Sequence, residues 1–433
     1  MPASDFIEEI KPKLIDWRRY FHQNPELGFL EYNTTYRLAK ELESLGFSLW
    51  IGKDALKSDA RYGVPGEETV REHEQKAAEN GIPSPIMEKM VDGHTGVVAR
   101  ISAPSPGKHT AYRFDIDALP ITESQESTHL PAAHSFRSAH EGIMHACGHD
   151  GHMAIGLGLA TYISAHIDQL KGSFTLLFQP AEEGGRGAMA MTDRGWLHDV
   201  DEFYTGHIGI QSLPVGCIAA TTNGFLASSK LDATFTGKAS HAGMKPEEGH
   251  NALLAAATAA TQLYAIPRHS GGASRINVGK LEAGRGRNII GDHGFLEIET
   301  RGSTKAINEY MEAQANRVLT ASAAMHASQV DITSAGRTEE IQCSPELASY
   351  VQESCENSLY VTKILRQAAV SGSEDASFMI NAVQQQGGKA TYMLFGTPLP
   401  HTHHHPAFDF DEEVLTAALD TFIHIVKGGG CYD

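Results

Sequence analysis

The chain has few cysteines for its length, five in 433 residues, and Cys147, Cys217, Cys343, Cys355 and Cys431 stand far apart with no paired spacing. That excludes a disulfide-stapled scaffold and fits a reduced, cytoplasmic setting. No run of about 18 apolar residues occurs, so a membrane span is not expected. Asp5, Glu8, Glu9, Lys11 and Lys13 stand where the apolar core of a secretion signal would lie, so none is expected. Basic residues are scarce, 35 against 53 acidic ones, for a net charge of −18, which argues against nucleic acid and anionic membranes as partners. Repeats, long linkers and low-complexity tracts are also missing.

Hydrophobic residues make up 41% of the chain, enough for a sizeable core. Ile7, Ile10, Leu14, Trp17 and Phe21 recur at helical spacing, and 34–45 reads as a second helix closed by Gly46. Residues 53–95 break the pattern as a polar insertion, with helices expected over 67–80 and, capped at Ser84-Pro85, just beyond. From 96 onward strands and helices alternate: strands at 95–101, 110–114, 174–178, 202–205 and 391–395, and a helix over 151–166. This predicts an α/β fold, a mixed sheet flanked by helices. Between 223 and 334 the order becomes strand, helix, strand, strand, helix, which predicts a small α+β domain inserted into a larger one formed by 1–222 and 335–433.

The chemistry-bearing residues cluster. Met144-His145-Ala146-Cys147-Gly148-His149-Asp150-Gly151-His152 packs a thiol, three imidazoles and a carboxylate into nine residues. Such groups need partners when buried, and metal ions are common ones. Asp115 and Asp117, Glu182 and Glu183, His207, and the run His401, His403, His404, His405 each fall just past a predicted strand. Open α/β sheets bind ligands at those strand ends, so the clusters are expected to converge on one metal-dependent hydrolytic site.

Cys147 and His149 can supply two ligands from one bend, Cys147 as a thiolate. Taken singly, Cys147 is as readily a small buried hydrophobe and His149 a histidine satisfied by backbone. Asp150 could orient a ligand or cap the following helix. Glu182 and Glu183 point apart on an extended segment, so one can bind metal while the other faces the substrate water. His207 alone reads as structural, and spacing does not choose among the C-terminal histidines. In the inserted domain His241 sits in a glycine-flanked turn and could donate to an oxyanion. Asn288 could be a turn residue only. Arg301 suits a substrate carboxylate or an ordinary ion pair equally. The segment 371–375 is either a helix cap or a site-lining loop.

In order along the chain stand Phe21-His22-Gln23-Asn24-Pro25-Glu26-Leu27-Gly28, Phe114-Asp115-Ile116-Asp117-Ala118-Leu119-Pro120, His145-Ala146-Cys147-Gly148-His149-Asp150-Gly151-His152, Gln179-Pro180-Ala181-Glu182-Glu183-Gly184, Ser240-His241-Ala242-Gly243 and Gly372-Ser373-Glu374-Asp375. By these motifs the chain resembles the amidohydrolase branch of the di-metal aminoacylase/carboxypeptidase family. The insertion 53–95, Asn277-Val278-Gly279 and Glu299-Thr300-Arg301-Gly302 make it most similar to the subgroup that cleaves p-aminobenzoyl-glutamate.

The resemblance implies two divalent ions, manganese or zinc, bridged by Cys147 and completed by His149, Glu183, His207 and His404, the last placed by counting back from Phe408. It implies Glu182 as general base and then acid, and His241 as oxyanion donor to the site of a partner subunit. Asn288 and Arg301 would help to hold the substrate, an N-acyl amino acid. The inserted domain would be a lid that forms a homodimer, or a heterodimer with a homologous subunit. The insertion 53–95 is expected to border the substrate entrance.

Overall fold

The computed structural model describes residues 3–430, so Cys431 lies outside the described residues; the other four cysteines are free thiols. The strands are β1 (Ser48–Ile51), β2 (Val97–Ser102), β3 (Ser105–Asp115), β4 (Lys171–Gln179), β5 (Glu202–Ser212), β6 (Cys217–Ala219), β7 (Thr222–Asn223), β8 (Ala227–Thr236), β9 (Ser274–Ala283), β10 (His293–Gly302), β11 (Gln329–Thr338), β12 (Lys363–Leu365), β13 (Ala368–Ala369) and β14 (Lys389–Thr397).

Eight of them form a mixed sheet in the order β1-β2-β4-β3-β5-β14-β6-β12. The inner strands β4, β3, β5 and β14 run parallel, and β2 and β1 add antiparallel to one side. Helices Ala3–Gln23, His149–His166 and Glu413–Gly428 pack into one core, and Ala188–Asp193 and Ala376–Gln385 into another, so both faces are covered, as the α/β reading expects. Helix His149–His166 is buried nearly all round and can lie this deep because two glycines leave room. A Cβ on Gly156 would stand 2.7 Å from Phe114 and Phe178, and one on Gly158 would stand 2.7 Å from Leu14.

Residues between β8 and β11 build a separate four-stranded antiparallel sheet, order β11-β8-β10-β9. Helices Ala252–Leu263 and Lys305–Met325 cover one of its faces, burying Leu231, Ala233, Phe235, Leu296 and Ile298. The sequence pattern misses β11, whose residues are half exposed and weakly patterned. In the insertion, helices Glu67–Glu79 and Ser84–Met90 expose most residues but bury Val70, Ala77 and Met90. Ser84 starts the second of these helices rather than capping it, since Pro83 holds the cap position.

A buried ion network ties the chain's two ends to the helix that starts at His149. Arg18 Nε donates to Asp150 Oδ2 (3.0 Å), and its other nitrogens reach Asp409 (2.5 Å) and Glu412 (3.3 Å). His22 bridges Asp150 (2.8 Å) and Glu123 (2.9 Å), and His129 adds a contact to Glu123 (2.8 Å). Asp150 is therefore not a helix cap, which corrects one of its two sequence readings; its carboxylate faces Arg18 and His22.

Removing Arg18 leaves the fully buried Asp150 carboxylate without its guanidinium partner. Arg18→Met should destabilise the fold by about 3–5 kcal/mol, read as a lowered urea midpoint. An unchanged midpoint would refute the network's structural role. Burial pushes the Glu123 carboxyl up, but hydrogen bonds from His129 and His22 outweigh it and bring it down to about 2. A depressed carboxylate contributes stability above its unfolded value that is lost as pH falls toward its folded one. Glu123→Gln should therefore flatten the fall of thermal stability between about pH 4.5 and 2; an unaltered slope would count against it.

Candidate active site and metal centre

Four chain segments meet at the carboxyl ends of the parallel strands. After β3 the chain runs through Asp117. After β4 it turns at Ala181, whose φ of 50° is left-handed, and presents Glu182 and Glu183. His207 lies inside β5, opposite Leu394 of β14, rather than beyond the strand as expected; β5 simply runs longer than its apolar segment. His404 is also left-handed, with φ 65°. Such conformations are strained for residues with a Cβ and persist where surrounding contacts fix them.

Asp117 organises this convergence. Its two carboxylate oxygens accept the backbone N–H of Glu182 and of Glu183, each at 3.0 Å, and Oδ1 lies 3.3 Å from His149 Nδ1. His149 Nδ1 also donates to the Asp117 carbonyl at 2.8 Å, which leaves Nε2 as the free face of the ring. That Nε2 is buried and has no hydrogen-bond partner. His207 Nδ1 donates to the Ile208 carbonyl (2.7 Å), and its Nε2 faces Cys147 Sγ at 3.4 Å. His404 Nε2 lies 3.3 Å from Glu183 Oε1. Donor atoms within 4.8 Å of one another form the groups Cys147–His149–His207, Cys147–Glu183–His404 and His149–Glu182–Glu183. The first two groups share Cys147.

These donors fit divalent cations. Burial, with Glu183, Glu182 and Asp115 nearby, pushes the Cys147 thiol well up. Burial alone would lower His149, yet Asp115, Asp117 and Glu183 raise it to about 10. Both groups would shed protons to a cation placed among them, and the unpartnered His149 Nε2 would gain its missing partner. Glu182 is held well above the usual carboxylate range by burial and by Glu374, Glu183 and Asp375.

Other candidates stand elsewhere. His152 uses both nitrogens, with Nδ1 on Asp115 and Nε2 accepting from Ile208 N (2.9 Å), so it positions β5 rather than offering a free donor. His403 bonds the Ile208 carbonyl (3.1 Å), while His401 stacks on His405. His241 is exposed, and its Nδ1 accepts Gly243 N and Met244 N within its own turn. The carbonyl of Asn288 accepts Ala242 N, which keeps Asn288 beside that turn. Arg301 is held bidentately by Glu299, at 3.0 and 3.1 Å.

The sequence pattern does not single out Arg113, which is fully buried and joins Asp115, Gln179, Glu374 and Asp375. A charged residue inside an apolar strand is its only signal. Asp375 does not cap its own helix; its Oδ2 accepts Gly187 N (3.1 Å) and Ala188 N (2.9 Å) at the start of another. Glu374 and Asp375 lie beside Glu182, so the segment 371–375 lines the site. A cavity of about 820 Å³ lies beyond the His404 loop, lined by Arg18, Phe136, His401 and Phe410, and holds none of the clustered donors.

Residues 111–428 match the model of peptidase family M20/M25/M40. The chain belongs to this family. It is similar to an indole-3-acetyl-aspartic acid hydrolase of Enterobacter agglomerans, 44% identical over 419 residues that cover 96% of each chain. It is similar to one subunit of the p-aminobenzoyl-glutamate hydrolase of Escherichia coli K12, 42% identical with the same coverage. The crystal structure of an aminobenzoyl-glutamate utilization protein from Klebsiella pneumoniae superposes with a TM-score of 0.85 at 37% identity, covering 99% of this chain and 98% of that one. As a member of this family the chain is a metal-dependent amidohydrolase.

Asparagine at 117 would offer one acceptor oxygen where two amides each need one. Asp117→Asn should cost about 1–3 kcal/mol in thermal stability and speed hydrogen exchange at Glu182 and Glu183. Unchanged exchange at both amides would show that the turn is held by other contacts.

Proposed function

We propose that the chain hydrolyses the amide bond of an N-acyl amino acid whose amino acid is acidic, with p-aminobenzoyl-glutamate as the preferred substrate. The observation that carries this reading is the pair of three-donor groups sharing Cys147, with Glu182 alongside. A structural metal site would be closed and four-coordinate and would have no use for Glu182. The two similar hydrolases are named for an acyl-aspartate and an acyl-glutamate, which supports an acidic leaving group. Indole-3-acetyl-aspartate is thus the second substrate to test.

In this reading Cys147, His149, Glu183, His207 and His404 would hold two divalent ions. Thiolate and imidazole suit zinc, and carboxylate admits manganese. Bound there, the ions would polarise the scissile carbonyl and lower the pKa of the attacking water. Glu182 takes the proton from that water and returns it to the leaving amine, a role that its place beside the clustered donors permits. His241, exposed and bonded only within its own turn, serves the oxyanion of a partner's site, and Asn288 and Arg301 help to hold the substrate.

The domain over 223–334 would act as lid and dimer contact, in a homodimer or with a homologous subunit. Its edge strand β9 and the exposed Leu254, Leu281 and Ile289 support this, and the Escherichia coli relative is itself named as one subunit of its hydrolase. The insertion would border the entrance, since the Gly63 carbonyl bonds Arg186, three residues past Glu183. Four free thiols and the absence, among the described residues, of a helix long and apolar enough to cross a membrane agree with a cytoplasmic site of action.

The test is turnover of p-aminobenzoyl-glutamate beside hippurate and N-acetyl amino acids, with manganese or zinc loaded. Wild type should favour the first and lose activity to a chelator. Glu182→Gln should keep two ions per chain by elemental analysis and lose turnover by about 10²–10⁴-fold. Unchanged turnover in that variant would remove Glu182 from the mechanism.

A further inference from the structure

The four-stranded sheet has one face under its helices and one turned toward the site. In β8 the alternation sends Leu231, Ala233 and Phe235 to the helices and leaves Lys230 and Asp232 on the other face. That face closes a cavity of about 490 Å³ against Gly63, Gly184 and Arg186. The volume suits a small-molecule site. Gly184 follows Glu183 directly, so the cavity adjoins the metal-type cluster.

Lys230 is the cation that the sheet presents to this cavity, and it has donors to spare. Only 24% of its side-chain surface is exposed. Its ammonium donates to Ser228 Oγ at 3.2 Å, and the nearest carboxylate oxygen, on Glu299, is 3.7 Å away, beyond a hydrogen bond. Glu299 is already held by Arg301 from the same strand. Among the other acids on this face, Glu297 has Lys280 at 3.9 Å, and burial, with Glu297 adding to it, pushes the Asp232 carboxyl up. Arg186 spends Nε on the Glu183 carbonyl (2.7 Å) and one Nη1 hydrogen on the Gly63 carbonyl (3.3 Å), which ties it to the loop wall of the cavity. Asn277 also lines the cavity; its carboxamide oxygen accepts the Tyr264 hydroxyl, which leaves its NH₂ uncommitted. Burial lowers the Lys230 ammonium, while Glu299 and Glu182 oppose the shift, so Lys230 lies within electrostatic reach of the proposed base. A partly buried point charge with unused donors, next to the reacting centre, is a carboxylate receptor.

We propose that Lys230, with the amide of Asn277, binds the side-chain carboxylate of the leaving amino acid and so selects acyl-aspartates and acyl-glutamates over neutral acyl amino acids. This rests on the amidohydrolase reading above. It assigns the second carboxylate, which neutral substrates lack, and leaves the carboxylate common to all N-acyl amino acids to other groups.

The experiment compares kcat/KM of the metal-loaded full chain for p-aminobenzoyl-glutamate and p-aminobenzoyl-glutamine, in wild type, Lys230→Met and Lys230→Arg. Lys230→Met should lose about 10–100-fold on the glutamate substrate, mostly through KM, because one charged hydrogen-bonded contact is gone. The glutamine substrate should change by less than about threefold, and Lys230→Arg should recover part of the preference. Parallel loss on both substrates, or no loss on either, overturns the assignment. If wild type cleaves neither compound, the p-aminobenzoyl-glutamate reading fails by itself. Calorimetric binding of the same two compounds to wild type and Lys230→Met then decides the Lys230 question, with selective loss of glutamate-compound affinity supporting it and equal affinities overturning it.

Discussion

Asp117 is buried beyond the reach of bulk water, and its charge is tolerated there because the Glu182 and Glu183 amides donate to it and His149 stands against it. Burial alone would push this carboxyl up; these contacts hold it below the ordinary range. The consequence is geometric. A carboxylate with both oxygens committed fixes the first residues after β4 relative to the first residues after β3, and through His149 it fixes the start of the central helix to both. Three segments far apart in sequence thus share one reference point, and the donors they carry come within a few ångströms of one another.

A further layer of buried charge keeps that reference point from drifting. Arg113 lies behind the site and holds Asp115, Glu374 and Asp375 at 2.8, 3.1 and 3.2 Å. Asp115 in turn orients His152, which accepts from the backbone of β5 next to His207. On the other side Arg18 anchors Asp150, one residue past His149. Buried networks of this kind stiffen a site, whereas a missing member would leave an uncompensated charge in a low-dielectric interior. The crowding of carboxylates near Glu182 follows from the same arrangement. Arg113 balances only part of the acidic charge around it.

Much of this was legible in the sequence because strand ends and metal-type residues coincide there. An apolar run followed by paired carboxylates locates Glu182 and Glu183 as surely as it locates β4. The dense run around Cys147 likewise marks the start of a helix whose burial its glycines permit. What stayed hidden depends on partners distant in the chain. A local window leaves capping open for Asp150, since its partner Arg18 lies 132 residues away. Asp375 serves helix Ala188–Asp193, 187 residues away. Strand β11 lacks a strong pattern because its neighbour, β8, lends it order through register rather than through burial of its own side chains. His207 reads as lying past a strand because β5 outruns its apolar segment.

The small sheet shows how specificity can be separated from stability in such a chain. In β8 odd positions from 231 to 235 feed the hydrophobic core, while Lys230 and Asp232 meet the cavity. Register ties the same logic to β10, where Lys230 stands opposite Glu299 and Leu231 opposite Ile298. A substitution at a cavity-facing position changes the charge presented to a substrate without opening a void in the core, and a substitution at a core position does the reverse. A one-residue slip of β8 would exchange the two sets, but it would also bury Lys230 beneath the helices without a partner, at a cost no small domain of this size could absorb. The core therefore enforces the register, and the register delivers Lys230 to the site. This is why a residue on a strand with no catalytic motif of its own can still decide which amide the cluster around Cys147 meets.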